Sequence, residues 1–128
     1  MKPIDNTTNQ VAKEIVDAAF KVHSVLGAGL LESVYETCLE YELTKRGLTV
    51  DRQLALPVIY ENVQLDAGFR LDLLVNRCVI VELKAVAELL PIHTAQLMTY
   101  LKLSQHRLGL LINFNTPLIR DGIKRIAL

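Results

Sequence analysis

Asp72, Glu82 and Lys84 are charged residues within the two most apolar strand-like runs of the chain. Asp72 lies in the run 69–75, which reads Phe-Arg-Leu-Asp-Leu-Leu-Val. Glu82 and Lys84 lie in the run 79–84, which reads Val-Ile-Val-Glu-Leu-Lys. Because an isolated charge in a protein core costs several kcal/mol, these side chains either pair with one another or hold a ligand. Two carboxylates and a lysine at one place suit a divalent cation together with a phosphate group.

The composition sets limits on what this chemistry can be part of. The chain has 128 residues, of which 51% are hydrophobic and 22% charged, which is enough for the core of one ordinary domain. Lys and Arg number 14, as do Asp and Glu, so a surface for nucleic acid would have to be a local patch rather than a global field. We predict a single domain over residues 1–128, with 1–7 as a loosely held tail.

The two cysteines and the apolar runs bear on the cellular environment. Cys38 and Cys78 are far apart and form no CxxC spacing, which favours two reduced, partly buried thiols over a disulfide or a metal pair. No apolar run approaches the roughly 18 residues of a membrane span, and the first residues lack the apolar segment of a signal peptide. We therefore expect a cytoplasmic protein.

Hydrophobic periodicity and turn signals predict eight elements, in the order α-α-β-β-β-α-β-β. The helices are expected over about 8–25, 31–46 and 91–104. The strands are expected over about 49–60, 66–75, 79–86, 107–114 and 118–128. This alternation is typical of one α/β domain.

The loop between the two charged runs decides which way their charges point, because strand side chains alternate between the faces of a sheet. A three-residue loop, 76–78, sets apolar residues opposite each other on one face: Val75 with Val79, Leu73 with Val81, and Leu71 with Leu83. The other face then has Asp72 directly across from Glu82. A two-residue loop would bring Glu82 among the leucines, since a one-residue slip turns a whole strand over. We therefore predict the three-residue loop.

Two carboxylates facing each other at about 5 Å between Cβ atoms repel unless positive charge lies between them. Lys84 could supply that charge as an internal ion pair, and Arg70 is on the same face. A Mg²⁺ or Mn²⁺ ion could supply it too, because these hard cations prefer carboxylate oxygens, backbone carbonyls and water. The hairpin by itself leaves the ion pair and the metal site as open alternatives.

Two helices carry further polar residues at helical spacing. Glu32 and Tyr35 are one turn apart on the second helix. His93, Gln96 and Tyr100 share one face of the third. A first-turn acid favoured by the helix dipole, a half-buried tyrosine and a solvated helix face would explain them without any function. The alternative is a pocket in which Glu32, Gln96 and Tyr100 converge on the three strand charges.

Taken together, these residues resemble a known pattern. Asp72 followed by the Glu-Leu-Lys of 82–84 resembles the signature of the PD-(D/E)XK nuclease superfamily, with Leu71 where that signature has proline. The Gln-Leu-Met-Thr-Tyr of 96–100 resembles the QxxxY helix motif of one branch of the superfamily.

A further resemblance lies at the start of the second helix. Gly29, Glu32 and Tyr35 resemble the motif that names the GxxExxY protein family, a small bacterial and archaeal group within the same superfamily. The resemblance extends from about Ile15 to the end of the chain. It implies a restriction-endonuclease-like α/β fold, in which helices flank a central mixed β-sheet and the site lies where the hairpin strands diverge.

The resemblance also implies roles for the polar residues. The implied ligands of Mg²⁺ (or Mn²⁺) are Asp72, Glu82, the backbone carbonyl of Leu83, and Glu32, which would hold a second metal ion or a water molecule. Lys84 would orient or deprotonate the attacking water and offset charge on the phosphate. The implied catalytic set is Lys84, Glu32, Gln96 and Tyr100, of which the last two would position the lysine, the water or the phosphate. The accessory positions are His93, Tyr35 and Arg70.

The function that follows is Mg²⁺-dependent hydrolysis of phosphodiester bonds in DNA or RNA. The alternative is a non-catalytic module that binds nucleic acid or protein on a nuclease fold, because a fold does not determine an activity. Nucleic acid is the expected partner, and a homodimer or a partner protein would help so small a chain to grip a duplex.

Overall fold

A computed structural model of the chain describes residues 2–128, except for the side chain at position 67. Its helices are α1 (Asn6–Leu26), α2 (Glu32–Lys45) and α3 (Pro91–Ser104). Its strands are β1 (Val50–Tyr60), β2 (Val63–Val75), β3 (Val79–Lys84), β4 (Leu108–Asn113) and β5 (Ile123–Ala127). The predicted order α-α-β-β-β-α-β-β is confirmed, with a short 3₁₀ turn (Ile119–Gly122) before the last strand.

The first residues differ from the loosely held tail that was expected over 1–7. Helix α1 already begins at Asn6, because the Asp5 carboxylate accepts a hydrogen bond from the backbone N–H of Thr8 at 2.7 Å and so caps the helix. Ile4 packs against the core. Residue 1 lies outside the described residues. The segment 118–122, expected as part of the last strand, forms a bend at Leu118 and the 3₁₀ turn Ile119–Gly122 instead.

The five strands form one mixed sheet in the order β1-β2-β3-β4-β5. Only the β3–β4 pair is parallel, and α3 is the crossover that a parallel pair requires. Alternate residues of β3 and β4 reach opposite faces: Val81 and Leu110 join the apolar cluster beneath α1 and α2, whereas Ile80 and Leu111 join the cluster beneath α3. The predicted fold class, a central mixed sheet flanked by helices, is confirmed.

The predicted three-residue loop between β2 and β3 is confirmed, because Val75 pairs with Val79 and Leu73 with Val81. The prediction that Leu71 shares a face with Leu73 is wrong. Leu73 packs beneath α1 and α2, whereas Leu71 packs in the cluster beneath α3. Residues two apart in a regular strand share a face, so this change of face requires a local bend or twist of β2 at the residue in between.

The bend lies at Asp72, across from Gln53 of β1. The β1–β2 pairing includes Arg52 with Leu73 and Leu54 with Leu71, but it skips the position between them. Gln53 has a left-handed backbone (φ 52°), so its peptide groups leave the plane of the ladder. The β2–β3 pairing also ends at Leu73. Asp72 therefore marks the point where the strands separate and the sheet opens.

Two simpler predictions concern the cysteines and the membrane. Cys38 and Cys78 are both free and partly buried, as predicted. Along residues 2–128 no helix combines the length and the apolar character that a membrane span requires.

Candidate active site

Asp72 and Glu82 are interlocked where β2 and β3 separate. The backbone N–H of Asp72 donates to Glu82 Oε2 at 2.7 Å, and the backbone N–H of Leu83 donates to Asp72 Oδ2 at 2.9 Å. Each carboxylate thus satisfies a backbone donor of the opposite strand, in place of the ladder hydrogen bond that is lost there. The two side chains are held close together by backbone that cannot move independently of the sheet.

This proximity is electrostatically unfavourable. Glu82 is only 6% exposed, and its pKa is raised to about 8 by burial and by the charge of Asp72, with Lys84 offsetting a part. Burial likewise raises the pKa of Asp72, and the charge of Glu36 adds to the effect. None of the salt bridges within the described range involves Asp72, Glu82 or Lys84. The carboxylates are close to each other without a bound cationic side chain between them.

Lys84 and Arg70 were the two side chains that could have served as internal counter-ions. Neither forms a salt bridge within the described residues. Lys84 lies two residues after Glu82. Its positive charge partly offsets the increase in the pKa values of Glu82, Asp72 and Glu32, but it forms no direct ion pair with them. Arg70 is exposed, and its guanidinium donates to the backbone carbonyl of Gln53 at 3.3 Å. The direct ion-pair alternative is therefore not realised.

Glu32 reaches the same place from the start of α2. The side chain is exposed, yet its pKa is raised by burial of the carboxyl group and by the charge of Asp72, while Lys84 lowers it. A carboxylate whose titration depends on Asp72 and Lys84 lies near both of them. Glu32 thus lies within electrostatic range of Asp72 and Lys84.

Tyr35, one turn further along α2, has a structural position. It is fully buried and stacks on Phe114, with ring centroids 4.7 Å apart. Its hydroxyl donates to the carbonyl of Gly27 at 2.6 Å and accepts from the N–H of Leu30 at 3.1 Å. These bonds fasten the loop between α1 and α2, so Tyr35 fixes where Glu32 begins its helix but does not itself reach the carboxylates.

Helix α3 brings Tyr100 and Gln96 to the opposite side of the site. Tyr100 is half-buried and stacks on Phe69 of β2, with centroids 4.5 Å apart. Its pKa is raised by burial and by the charges of Glu82 and Asp72, and the amide of Gln96 opposes the shift. Tyr100 therefore lies within electrostatic reach of the pair, with Gln96 beside it.

His93 has a local role in the same helix. Its Nδ1 accepts a hydrogen bond from the backbone N–H of Leu90 at 3.0 Å and so caps the first turn of α3. One ring nitrogen of His93 is therefore committed to this cap, and its only side-chain hydrogen bond within the described residues is this one.

The arrangement of the site agrees with a family match over nearly the whole chain. A family model described as the PD-(D/E)XK nuclease superfamily matches residues 9–126. The chain belongs to the PD-(D/E)XK nuclease superfamily. No curated protein and no solved structure matches it significantly.

Two residues of this PD-(D/E)XK site were missed by the sequence analysis. Gln53 Nε2 donates to Glu36 Oε1 at 2.8 Å and to Asp72 Oδ1 at 3.3 Å. Glu36 is buried and also accepts from Arg52 Nε at 2.9 Å. Glu36 lies one helical turn after Glu32, a spacing that could have indicated it. The sequence carries no sign of Gln53, whose left-handed backbone costs about 1–2 kcal/mol.

A third missed residue, Asn113, holds the far end of the site. Its side chain accepts from the N–H of Val86 at 3.1 Å and donates to the carbonyl of Val86 at 3.0 Å. Because Asn113 pairs with Lys84 across the β3–β4 ladder, these bonds tie the chain after β3 to β4. The backbone that carries Lys84 is therefore fixed on both sides.

The donors present suit a hard divalent cation. Mg²⁺ is held in proteins by one or two carboxylates and completes its shell with water, and Asp72 and Glu82 supply two that repel each other in its absence. Their hydrogen bonds use one lone pair of an oxygen and leave the other free. In the described part of the chain no group of three or more Asp, Glu, His or Cys side chains could hold a metal. Glu32 therefore does not complete such a group with the pair.

Proposed function

We propose that this chain is a Mg²⁺-dependent nuclease that hydrolyses phosphodiester bonds of DNA or RNA. The observation that carries the proposal is the pair Asp72 and Glu82, held together at the opening of the hairpin although their charges repel. Repulsion between buried carboxylates is costly unless a cation binds there. Membership in a nuclease superfamily supports phosphodiesters as the substrate class.

The cation site in this proposal consists of Asp72, Glu82 and the backbone carbonyl of Leu83, with water in the remaining positions. Mg²⁺ or Mn²⁺, when bound, supplies Lewis-acid polarisation of the phosphate and lowers the pKa of water. Glu32, whose carboxyl group is within electrostatic range of Asp72 and Lys84, orients the attacking water. Its raised pKa is the property of a carboxylate that can accept a proton.

Lys84 acts on the phosphate itself. Its ammonium group lies near Glu82 and Asp72 without an ion pair, so it is available to offset the negative charge that develops on the phosphate oxygens. Tyr100 and Gln96 form the α3 side of the pocket, where a hydroxyl and an amide position the phosphate or Lys84.

Within the superfamily, we propose that the chain is a GxxExxY protein. The geometry gives each residue of that motif a physical reason. Gly29 has a positive φ of 99° in the loop before α2, a conformation that favours glycine. Tyr35 fastens this loop, and Glu32 is the side chain that the fastened loop presents to the site.

The test is cleavage of single- and double-stranded DNA and RNA by the purified chain with Mg²⁺, Mn²⁺ or EDTA. We expect cleavage with the metals and none with EDTA. Lys84→Ala and Asp72→Asn should each lower the rate about 100- to 1,000-fold, because each removes charge stabilisation of the transition state. The matched controls are Lys102→Ala, on the exposed surface of α3, and Asp66→Asn, an exposed residue of β2, and both should retain activity.

A chain that binds metal but cleaves none of these substrates would contradict the nuclease proposal. The second candidate is a non-catalytic module that binds nucleic acid or protein. The formal net charge of zero favours its protein-binding form, because it provides no general attraction to nucleic acid. This candidate predicts binding of nucleic acid or protein without turnover, and equal binding by Lys84→Ala.

A further inference from the structure

Gln53 is the residue at which strand β1 leaves the extended conformation. Its φ of 52° is left-handed, although it lies inside a strand that runs from Val50 to Tyr60. In the described chain the other non-glycine residues with positive φ lie in turns or at a helix end: Glu61, Asn76, Arg77 and Gln105. Such a conformation is unfavourable for any residue but glycine, so the side chain at this position must provide something that glycine cannot.

What the side chain provides is an amide between two carboxylates. Gln53 Nε2 donates one hydrogen bond to Glu36 Oε1 at 2.8 Å and one to Asp72 Oδ1 at 3.3 Å. Glu36 is fixed in turn by Arg52, whose Nε donates to Oε2 at 2.9 Å. The remaining oxygen of Asp72, Oδ2, accepts from the backbone of Leu83. Both oxygens of Asp72 are therefore held, one by β3 and one through Gln53.

We propose that Gln53 is a positioning residue for the cation site. Its left-handed backbone places the amide between Glu36 and Asp72, and the amide fixes the Asp72 carboxylate in the orientation that binds a divalent cation together with Glu82. The inference rests on the proposed function, because it requires that Asp72 and Glu82 bind the cation. Arg52 and Glu36 then belong to the same chain of contacts as Gln53. These residues influence the affinity for the metal ion without touching it.

The test measures Mn²⁺ affinity by isothermal titration calorimetry and the unfolding temperature in EDTA. Gln53→Met keeps the length of the side chain and the positive φ but removes the amide. Gln53→Gly removes the amide and relieves the backbone. The matched control is Gln105→Gly, a second glutamine with a positive φ (60°), which caps the end of α3 before the start of β4 and away from Lys84.

We expect both Gln53 variants to bind Mn²⁺ at least about 10-fold more weakly than the wild type, as for other residues that orient metal ligands. Gln53→Gly should do so with an unchanged or raised unfolding temperature in EDTA, and Gln105→Gly should bind as the wild type does. Wild-type affinity in either Gln53 variant would overturn the inference and leave the proposed function standing. A lower unfolding temperature of Gln53→Gly in EDTA would make Gln53 a structural residue and overturn it as well. If the wild type binds no Mn²⁺, the proposed function fails, and the inference fails with it.

Discussion

Glu42 and Glu82 are buried to nearly the same degree, with 7% and 6% of their surfaces exposed, but their surroundings are opposite. Glu42, between α1 and α2, contacts Lys21 Nζ at 3.2 Å and Arg46 Nε at 3.4 Å. Burial raises its pKa, yet the hydrogen bond and charge of Lys21, with Arg46, outweigh burial and lower it. Glu82, between β2 and β3, faces Asp72, and its pKa is raised to about 8.

The difference separates a carboxylate that has cationic partners within the chain from one that has none among the described residues. The α1–α2 interface satisfies its buried charge from within the chain, and Glu36 is satisfied in the same way by Arg52. The β2–β3 opening instead places two carboxylates together and leaves Lys84 outside ion-pair contact. Stability alone would favour an apolar or paired arrangement there, and the proposed cation site would account for the pair.

The largest expected effect is on catalysis. Glu82→Gln should lower metal-dependent cleavage about 100- to 1,000-fold, because it removes one of the two charges that bind the cation. Glu42→Gln, a change of the same chemistry at the same degree of burial, should leave the rate unchanged. Initial rates on the preferred substrate measure both effects. Equal losses of activity in the two variants would contradict the contrast between Glu82 and Glu42.

The next effect is the pH dependence of stability in EDTA. The folded state keeps a proton on Glu82 up to a pKa of about 8, whereas the unfolded chain releases it near its ordinary value of 4.5. The folded state therefore binds more protons in this window, and the free energy of unfolding falls as the pH rises. We expect a loss on the order of 3 kcal/mol between about pH 5 and pH 8, measured by urea unfolding. Glu82→Gln should lose much less, and a wild type whose stability rises over this range would contradict the account.

A smaller effect concerns Tyr35, the tyrosine of the GxxExxY pattern, whose hydroxyl bonds to the loop between α1 and α2. Tyr35→Phe removes the hydroxyl that bonds to Gly27 and Leu30, and should lower the free energy of unfolding by about 1–2 kcal/mol. It should lower the cleavage rate of the folded protein much less than Glu82→Gln does, because the hydroxyl acts on the site only through the loop before Glu32. Thermal unfolding and initial rates, measured on the same preparation, check both parts. A large loss of activity without loss of stability would place Tyr35 in the site.

The smallest effect is the stability of Glu42→Gln. The pKa of Glu42 is lowered in the folded state, so its ionised carboxylate stabilises the fold at pH values above its ordinary pKa of 4.5. This contribution disappears as the pH falls through the lowered pKa. With Lys21 partly exposed, the change should cost at most about 1 kcal/mol near neutral pH. Urea unfolding at two pH values measures this cost. A gain in stability would make Glu42 resemble Glu82 and remove the contrast.

The sequence predicts the hairpin correctly because the relevant signals are local. The apolar alternation of β2 and β3 demands a three-residue loop, and Val75 pairs with Val79 as expected. The same alternation places Leu71 on the wrong face, because it assumes regular strands. The bend at Asp72 comes with the left-handed backbone of Gln53, and a glutamine in a strand gives no indication of that conformation.

The same distinction, between features with a local sequence signal and features without one, applies to the site residues. Asp72, Glu82 and Lys84 are conspicuous because charges in apolar strands are unusual, and the structure brings Glu32 and Tyr100 within their electrostatic reach. The contacts that orient them were not predictable. The bonds from Gln53 to Glu36 and Asp72 join β1 to α2 and β2 over 17 and 19 residues of sequence, and spacing rules relate only near neighbours on one element.

The most direct test of the central claim compares the wild type with Glu82→Gln by urea unfolding at about pH 8.5, where Glu82 is largely ionised in both states, in EDTA and in Mn²⁺. If the carboxylate pair is kept for a cation, Glu82→Gln is the more stable protein in EDTA, and Mn²⁺ stabilises the wild type but not the variant. If Glu82→Gln is instead less stable than the wild type in EDTA, and Mn²⁺ affects neither protein, then Glu82 stabilises the fold as Glu42 does and the account is contradicted.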